Sequence, residues 1–276
     1  MVPEVANFLA RLQTSPAVLV TVHSSRGSVP RENGAWMAVF ADETQPLSGT
    51  IGGGRLEHDA IAHARSLLLS MAAKIDKNSL TPELVDYALG PSLGQCCGGV
   101  VQLQFEIVTA PDAAQLAQRL SAGNVPLALF GGGHVGRALV SVLTPLAMDI
   151  TWIDSRDAIF PPDLASVVQC EYSDPVQAAV NTLPPQSRVL IMSFSHAEDL
   201  AIVTACLERR RARNDLPYIG LIGSRTKWSR FCARLRSQGF SEAELAWVTC
   251  PIGIAGITDK RPQAIAVAVA AQLLQQ

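Results

Sequence analysis

A chain of 276 residues can hold one large domain or two ordinary ones, and 48% hydrophobic with 17% charged residues describes a core-rich globular protein, which excludes a disordered chain. The formal net charge of −2 gives no footprint for nucleic acid or an anionic membrane surface. The opening residues lack the basic segment and apolar core of a signal peptide, and no apolar run approaches the ~20 residues that cross a bilayer, so a cytoplasmic location is expected.

In chain order, residues 3–13 read as a helix and Ala17–His23 as a strand, followed by the polar loop Ser24–Arg31. A second strand covers Trp36–Phe40, and a turn around residues 42–46 leads into Leu47–Ile51. Gly52, Gly53 and Gly54 open a helix whose apolar positions Ala60, Ile61, Ala64, Leu67, Leu68 and Met71 recur at helical spacing. Such a glycine-rich helix start reads either as a flexible loop or as an anion cradle reinforced by Arg55. Two further strands are expected over 84–90 and 99–108, around Gly-Gln-Cys96-Cys97-Gly-Gly. The short connections suit antiparallel pairing.

The six cysteines show no C-x-x-C and no zinc-type spacing. Four are scattered and read as small buried hydrophobes. Cys96 and Cys97 are adjacent between glycines, where a disulfide would close a strained eight-membered ring. Their alternative is a thiolate for a soft metal or for sulfur.

Residues 109–125 read as a helix ending at Gly123-Asn124 before Pro126, which places the domain junction there: 1–122 as an α+β domain and 123–276 as a second domain. From 126 the pattern becomes β-α-β, with strands near 127–131, 149–154, 167–170, 188–193, 218–222 and 246–249. Helices alternate with them near 134–146, 174–182, 197–211, 224–238 and 261–275. The fold class is therefore α/β: a Rossmann-like parallel sheet with helices on both faces, plus the smaller N-terminal domain. Arg209, Arg210, Arg211 and Arg213 end a predicted helix, where cations complement the helix dipole.

Leu127–Phe130 followed by Gly131, Gly133 and Gly136, with Asp154 about twenty residues on, forms the G-x-G-x-x-G arrangement of a dinucleotide site. Gly131 would permit the tight turn, Gly133 the approach of a pyrophosphate, and Gly136 close helix–strand packing. Asp154 would accept from a ribose diol, whereas Arg156 could favour a 2′-phosphate or simply be a solvated arginine. His134 inside the turn reads as a helix-start residue. Other strand ends carry His196 with Asp199, the helix-opening Ser224-Arg225, and Pro251-Ile252-Gly253. His196 reads equally as a proton donor or as an orienting residue.

Taken as ordered motifs, Gly27–Arg31, Gly49–Glu57, Cys97-Gly98-Gly99, Phe130–Gly136, Ile222–Arg225 and Cys250–Gly253 resemble the XdhC/CoxI family, accessory proteins that mature molybdenum hydroxylases such as xanthine dehydrogenase. The chain departs from the family pattern at Gln263 and Ala264, where an acidic residue is common. The resemblance implies binding of the molybdenum cofactor (molybdopterin), support for its sulfuration with a cysteine desulfurase, and delivery to an apo molybdenum hydroxylase. It also implies a homo-oligomer that acts as a cofactor chaperone more than as a catalyst. On this reading Cys97, then Cys96, is the thiol that meets the molybdenum, with Gly52–Gly54 and Arg55 near the ligand. The alternatives are an NAD(P)-dependent oxidoreductase and a nucleotide-sensing module, neither of which requires the cysteine pair.

Overall fold

The computed structural model describes residues 2–42, 44, 47–73, 81–89, 98–165 and 168–276. The chain divides into two units, Glu4–Leu120 and Ser121–Gln276. In the first unit, helix α1 (Pro3–Leu12) precedes strands β1 (Ala17–Arg26), β2 (Trp36–Phe40) and β3 (Ser48–Gly49). Helix α2 (Gly54–Ala73), β4 (Glu83–Ala88), β5 (Val100–Val108) and α3 (Ala113–Ser121) complete it. The sheet runs β3-β2-β1-β5-β4, with every pair antiparallel.

Period-2 alternation explains why β1 is buried on both faces. Val18, Val20 and Val22 join the core with Leu56, Ala60, Ala64 and Leu68 of α2. Ala17 and Leu19 point the other way, into a core with Phe8 and Leu12 of α1 and Leu116 of α3. The expected loop at Ser24–Arg26 is strand instead. Its backbone pairs with Val100–Gln102 past a bulge at Val22/Ser24, and its polar side chains suit its mostly exposed position.

The second unit contains β6 (Val125–Phe130), α4 (His134–Leu143), β7 (Met148–Asp154), α5 (Pro162–Ala165), β8 (Gln169–Tyr172), β9 (Arg188–Ile191) and α6 (His196–Arg213). It continues through β10 (Tyr218–Leu221), α7 (Arg225–Ser237), α8 (Glu242–Leu245), β11 (Val248–Thr249) and α9 (Pro262–Leu273). The expected helix at 174–182 is a 3-10 turn over Val176–Thr182.

Among the described residues the strands form one sheet in the order β11-β10-β9-β6-β7-β8, with every pair parallel. In chain order within the unit this is 3-2-1-4-5-6, the doubly wound Rossmann arrangement. Both faces are covered, as parallel strands with continuous apolar runs require. Ala128, Phe130, Val189 and Ile191 face Val203 and Leu207 of α6 and Phe231 and Leu235 of α7. Leu127, Leu129 and Leu190 face Leu139, Val140 and Leu143 of α4 and Val269 and Leu273 of α9. Cys206 and Cys232 lie in these cores as small hydrophobes, and burial pushes the Cys206 thiol up to about 12. No helix of the described residues is long and apolar enough to cross a membrane.

Candidate functional site

Strand order reverses between β6 and β9, so the carboxyl ends of these two strands border the crevice where doubly wound sheets take their ligands. The turn after β6 is built as its glycines suggest. Gly131 has φ +121°, and a Cβ there would stand 2.0 Å from the Met192 carbonyl oxygen at the end of β9. A Cβ on Gly136 would lie 2.1 Å from the Gly131 carbonyl oxygen, so α4 reaches the turn this closely because the position is glycine. The buried Trp152 indole N–H donates to that same Gly131 oxygen at 3.0 Å and pins the turn. Gly133 is exposed, with nothing within 4 Å of a Cβ built on it, and it begins α4 without a side-chain cap.

Two of the other helices that start on this edge differ from α4. Ser195 caps α6 by accepting from the Glu198 N–H, and Ser224 caps α7 by accepting from the Lys227 N–H. Ser224 is thus spent on its own helix, and Arg225 beside it is exposed. His196 and His134 are both exposed first residues of their helices. The His196 ring meets Phe231 edge-on at 6.4 Å.

Asp154 stands where a ribose acceptor is expected, yet its carboxylate is committed within the chain. It is 2% exposed. One oxygen accepts from the Gly132 N–H at 2.6 Å and from Arg156 Nη2 at 2.9 Å. The other accepts from the Arg156 backbone N–H and from Arg156 Nε, both at 2.9 Å. Burial opposes ionisation here, but hydrogen bonds from Arg156 and Gly132 outweigh it and hold the carboxyl below its usual range. A ribose diol would have to displace Arg156 to reach it. The Arg156 guanidinium lies 4.9 Å from the centre of the Phe194 ring, which is 67% exposed.

A second buried pair fixes the neighbouring loops. Lys227 Nζ donates to Asp199 at 2.5 Å and to the Ile222 carbonyl at 2.8 Å. Asp199 in turn accepts from the backbone N–H and the hydroxyl of Ser193, each at 2.8 Å. The segments after β9 and β10 are tied together through this pair, and Phe194 sits in the first of them. Burial pushes the nearby Cys250 thiol up to about 11, so it stays protonated at neutral pH.

In the first unit, three motifs distant in sequence converge. A Cβ on Gly52 would stand 2.3 Å from Pro30 Cβ, and Arg31 Nη1 donates to the Thr50 carbonyl at 3.3 Å. Gly99 packs against the Arg26 and Ser28 carbonyls, where a Cβ would approach each to 2.6 Å. Where an anion cradle is expected at Gly52–Gly54, the backbone N–H groups meet an anion of the chain itself, the Glu57 carboxylate. Glu57 Oε2 accepts from Thr50 Oγ1 at 2.6 Å, the Ile51 N–H at 3.0 Å and the Gly53 N–H at 3.1 Å. Arg55 pairs with Asp59 at 2.9 Å along the exposed side of α2 and leaves the cradle to Glu57. Cys96 and Cys97 lie outside the described residues. Among the described residues no group of three or more His, Cys, Asp or Glu gathers as a metal site would need.

Sequence reasoning did not foresee Glu57 in the cradle, the Asp199–Lys227 clamp, or Phe194 behind Arg156. The first had a signal, an acidic residue in the first turn of a glycine-started helix. The second had none, because its members are 28 residues apart on different elements.

The family model described as the XdhC Rossmann domain matches residues 127–273, and that of the XdhC and CoxI family matches residues 10–75. The uncharacterized protein YqeB of Escherichia coli K12 is 27% identical over 265 residues, which cover 95% of this chain and 44% of that protein. The chain thus spans less than half the length of this curated relative. A solved Bacillus halodurans structure named a xanthine dehydrogenase shares the fold, with a TM-score of 0.74 at 20% identity over 99% of this chain and 95% of that one.

Proposed function

The chain belongs to the XdhC and CoxI family, and from that premise we propose that it is an accessory protein of molybdenum-hydroxylase maturation. It binds the molybdenum cofactor, supports its sulfuration by a cysteine desulfurase, and hands it to an apo-enzyme of the xanthine dehydrogenase type. The observation that supports this reading is that the Gly27–Arg31 loop of the first unit packs against Gly99 on one side and against Gly52 on the other, next to the backbone N–H groups of Ile51 and Gly53 that meet an anionic oxygen.

The donors at this turn suit an anionic oxygen, since they meet the Glu57 carboxylate, and a phosphate would have to displace that carboxylate. When bound, the cofactor supplies a molybdenum centre on a pterin dithiolene that carries a phosphate. Gly53 and Ile51 would donate backbone N–H groups to that phosphate in place of Glu57, and Arg55 would add a cation at the rim only by leaving Asp59. Cys97, with Cys96 beside it, would offer the soft thiolate that molybdenum and sulfur favour. The role is one of holding and shielding, and no residue pair here is assigned an acid–base step.

Reconstitution tests the reading: apo molybdenum hydroxylase is supplied with cofactor in air, with and without this protein. Activation should require the protein, and Cys97→Ala should reduce both activation and the molybdenum that co-purifies with the chain. Equal activation without the protein refutes the accessory role, and unchanged molybdenum retention in the variant refutes the thiol assignment.

A further inference from the structure

The switch-point crevice of the second unit holds a polar arrangement that the maturation role does not use. Of the three helices that start after β6, β9 and β10, α6 and α7 each have one first-turn N–H met by a serine cap, whereas α4 begins at Gly133 without one. The approach to Gly133 is open. At the end of β7, the carboxylate that ordinarily accepts from a ribose 2′-hydroxyl is closed off: Asp154 is 2% exposed, and four N–H groups point at its two oxygens. What the crevice offers at that place is the cation that closes it. Arg156 gives Nε and Nη2 to Asp154, its side chain is 37% exposed, and Nη1 lies outside the pair.

Phe194 backs the guanidinium from the end of β9, with the planar cation 4.9 Å from its ring centre. This stacking holds the guanidinium as a flat surface on which a nucleobase can lie. A ring 67% exposed is an unusual place for phenylalanine, and the Asp199–Lys227 clamp fixes the loop that presents it. A guanidinium beside the ribose position recognises a phosphomonoester, while a hydroxyl gains little from it.

We propose that the crevice at the ends of β6, β7 and β9 binds a nucleotide that carries a ribose 2′-phosphate, as NADPH does, and that Arg156 selects it over the free 2′-hydroxyl. The glycine turn and the start of α4 receive the pyrophosphate, Arg156 receives the 2′-phosphate, and the base stacks on the Arg156–Phe194 pair. Asp154 is a positioning residue that fixes the glycine turn and the guanidinium. The proposal concerns binding and assigns no hydride transfer.

Calorimetry on the full chain tests it with NADPH, NADH, 2′,5′-ADP and inorganic phosphate as probes. NADPH should bind at least ~10-fold more tightly than NADH, 2′,5′-ADP should compete with it, and Arg156→Ala should bring the ratio close to one. Because Arg156→Ala removes the partner of a buried carboxylate, two further variants accompany it. Arg156→Lys keeps the charge and should lower the NADPH preference several-fold, and Phe194→Ala, at an exposed position, should weaken both dinucleotides by a similar factor. Equal binding of NADPH and NADH, or no heat with either, overturns the proposal. So does competitive displacement of NADPH by molybdenum cofactor, which would assign the crevice to the pterin phosphate. Cofactor retention that persists in Arg156→Ala leaves the maturation role standing whatever the nucleotide result.

Discussion

Asp154 and Glu57 both follow glycine turns in positions where an external ligand is anticipated, and both direct their oxygens at backbone N–H groups of their own chain. For Glu57 the consequence is a measurable competition. Glu57→Ala strips the Ile51 and Gly53 N–H groups of their acceptor, which costs about 1–3 kcal/mol if nothing replaces it. Inorganic phosphate should restore part of the lost thermal midpoint in this variant and do less for the parent chain. A midpoint indifferent to phosphate in both would remove the cradle from consideration. For Asp154 the consequence is a pH dependence. Its carboxyl is held below the usual range, so its contribution is complete above the ordinary aspartate value of about 3.9 and is lost as pH falls through the lower folded-state value. Urea midpoints measured between neutral pH and about 3 should therefore fall more steeply for the parent chain than for Asp154→Asn, since the variant lacks this ionisation. Parallel slopes would show that the ionisation is not linked to folding.

At the scale of elements, the loops on the ligand edge are set by ion pairs that reach across strands. Lys227 and Asp199 are 11% and 3% exposed, and their pairing joins the start of α7 to the start of α6. Lys227→Met leaves Asp199 buried without its cation and should cost about 3–5 kcal/mol, while Lys227→Met with Asp199→Asn, which removes the charge and keeps an acceptor for Ser193, should recover much of that loss. Denaturant unfolding of both variants checks the pattern, and a double variant no better than the single would show that Asp199 is not the source of the cost. Arg209 acts similarly at the far end of α6. It is 5% exposed, pairs with Asp215 and donates to the Val180 and Leu183 carbonyls, so this part of the basic run is a buried clamp and not only a dipole complement.

Such pairs mark where sequence reading stops. Apolar period exposes the strands and helices of the doubly wound unit, and the glycines of 131–136 state their own packing, because a Cβ at 131 or 136 would meet backbone within about 2 Å. The strand at Ser24–Arg26 escapes that reading because only backbone hydrogen bonds to β5 hold its exposed polar residues in the sheet. The partner of a carboxylate is equally hidden, since it depends on which N–H groups the finished fold aims at it. Asp154 and Arg156 are two positions apart and still do not reveal in sequence that they close on each other.

For the whole molecule, the core clusters divide between the two units. Val20, Met37, Leu103 and Phe105 pack with α2 in the first, and Phe130, Val189, Ile219 and Leu221 pack with α6 and α7 in the second. Damage to one core should therefore lower the stability of that unit and spare the other. Tryptophan placement makes this testable: Trp36 lies in the first unit, and Trp152, Trp228 and Trp247 lie in the second. In a Trp36→Phe background, fluorescence follows the second unit alone, while far-ultraviolet circular dichroism follows both. Adding Phe105→Ala empties a large side chain from the first core and should cost about 3–5 kcal/mol there. The dichroism curve should then begin its transition at lower urea, with the fluorescence midpoint unmoved. A fluorescence midpoint that shifts together with the dichroism would mean that the units unfold as one. In that case a substitution at the Glu57 cradle would weaken nucleotide binding at Arg156 through lost folding, and the two sites could not be probed independently.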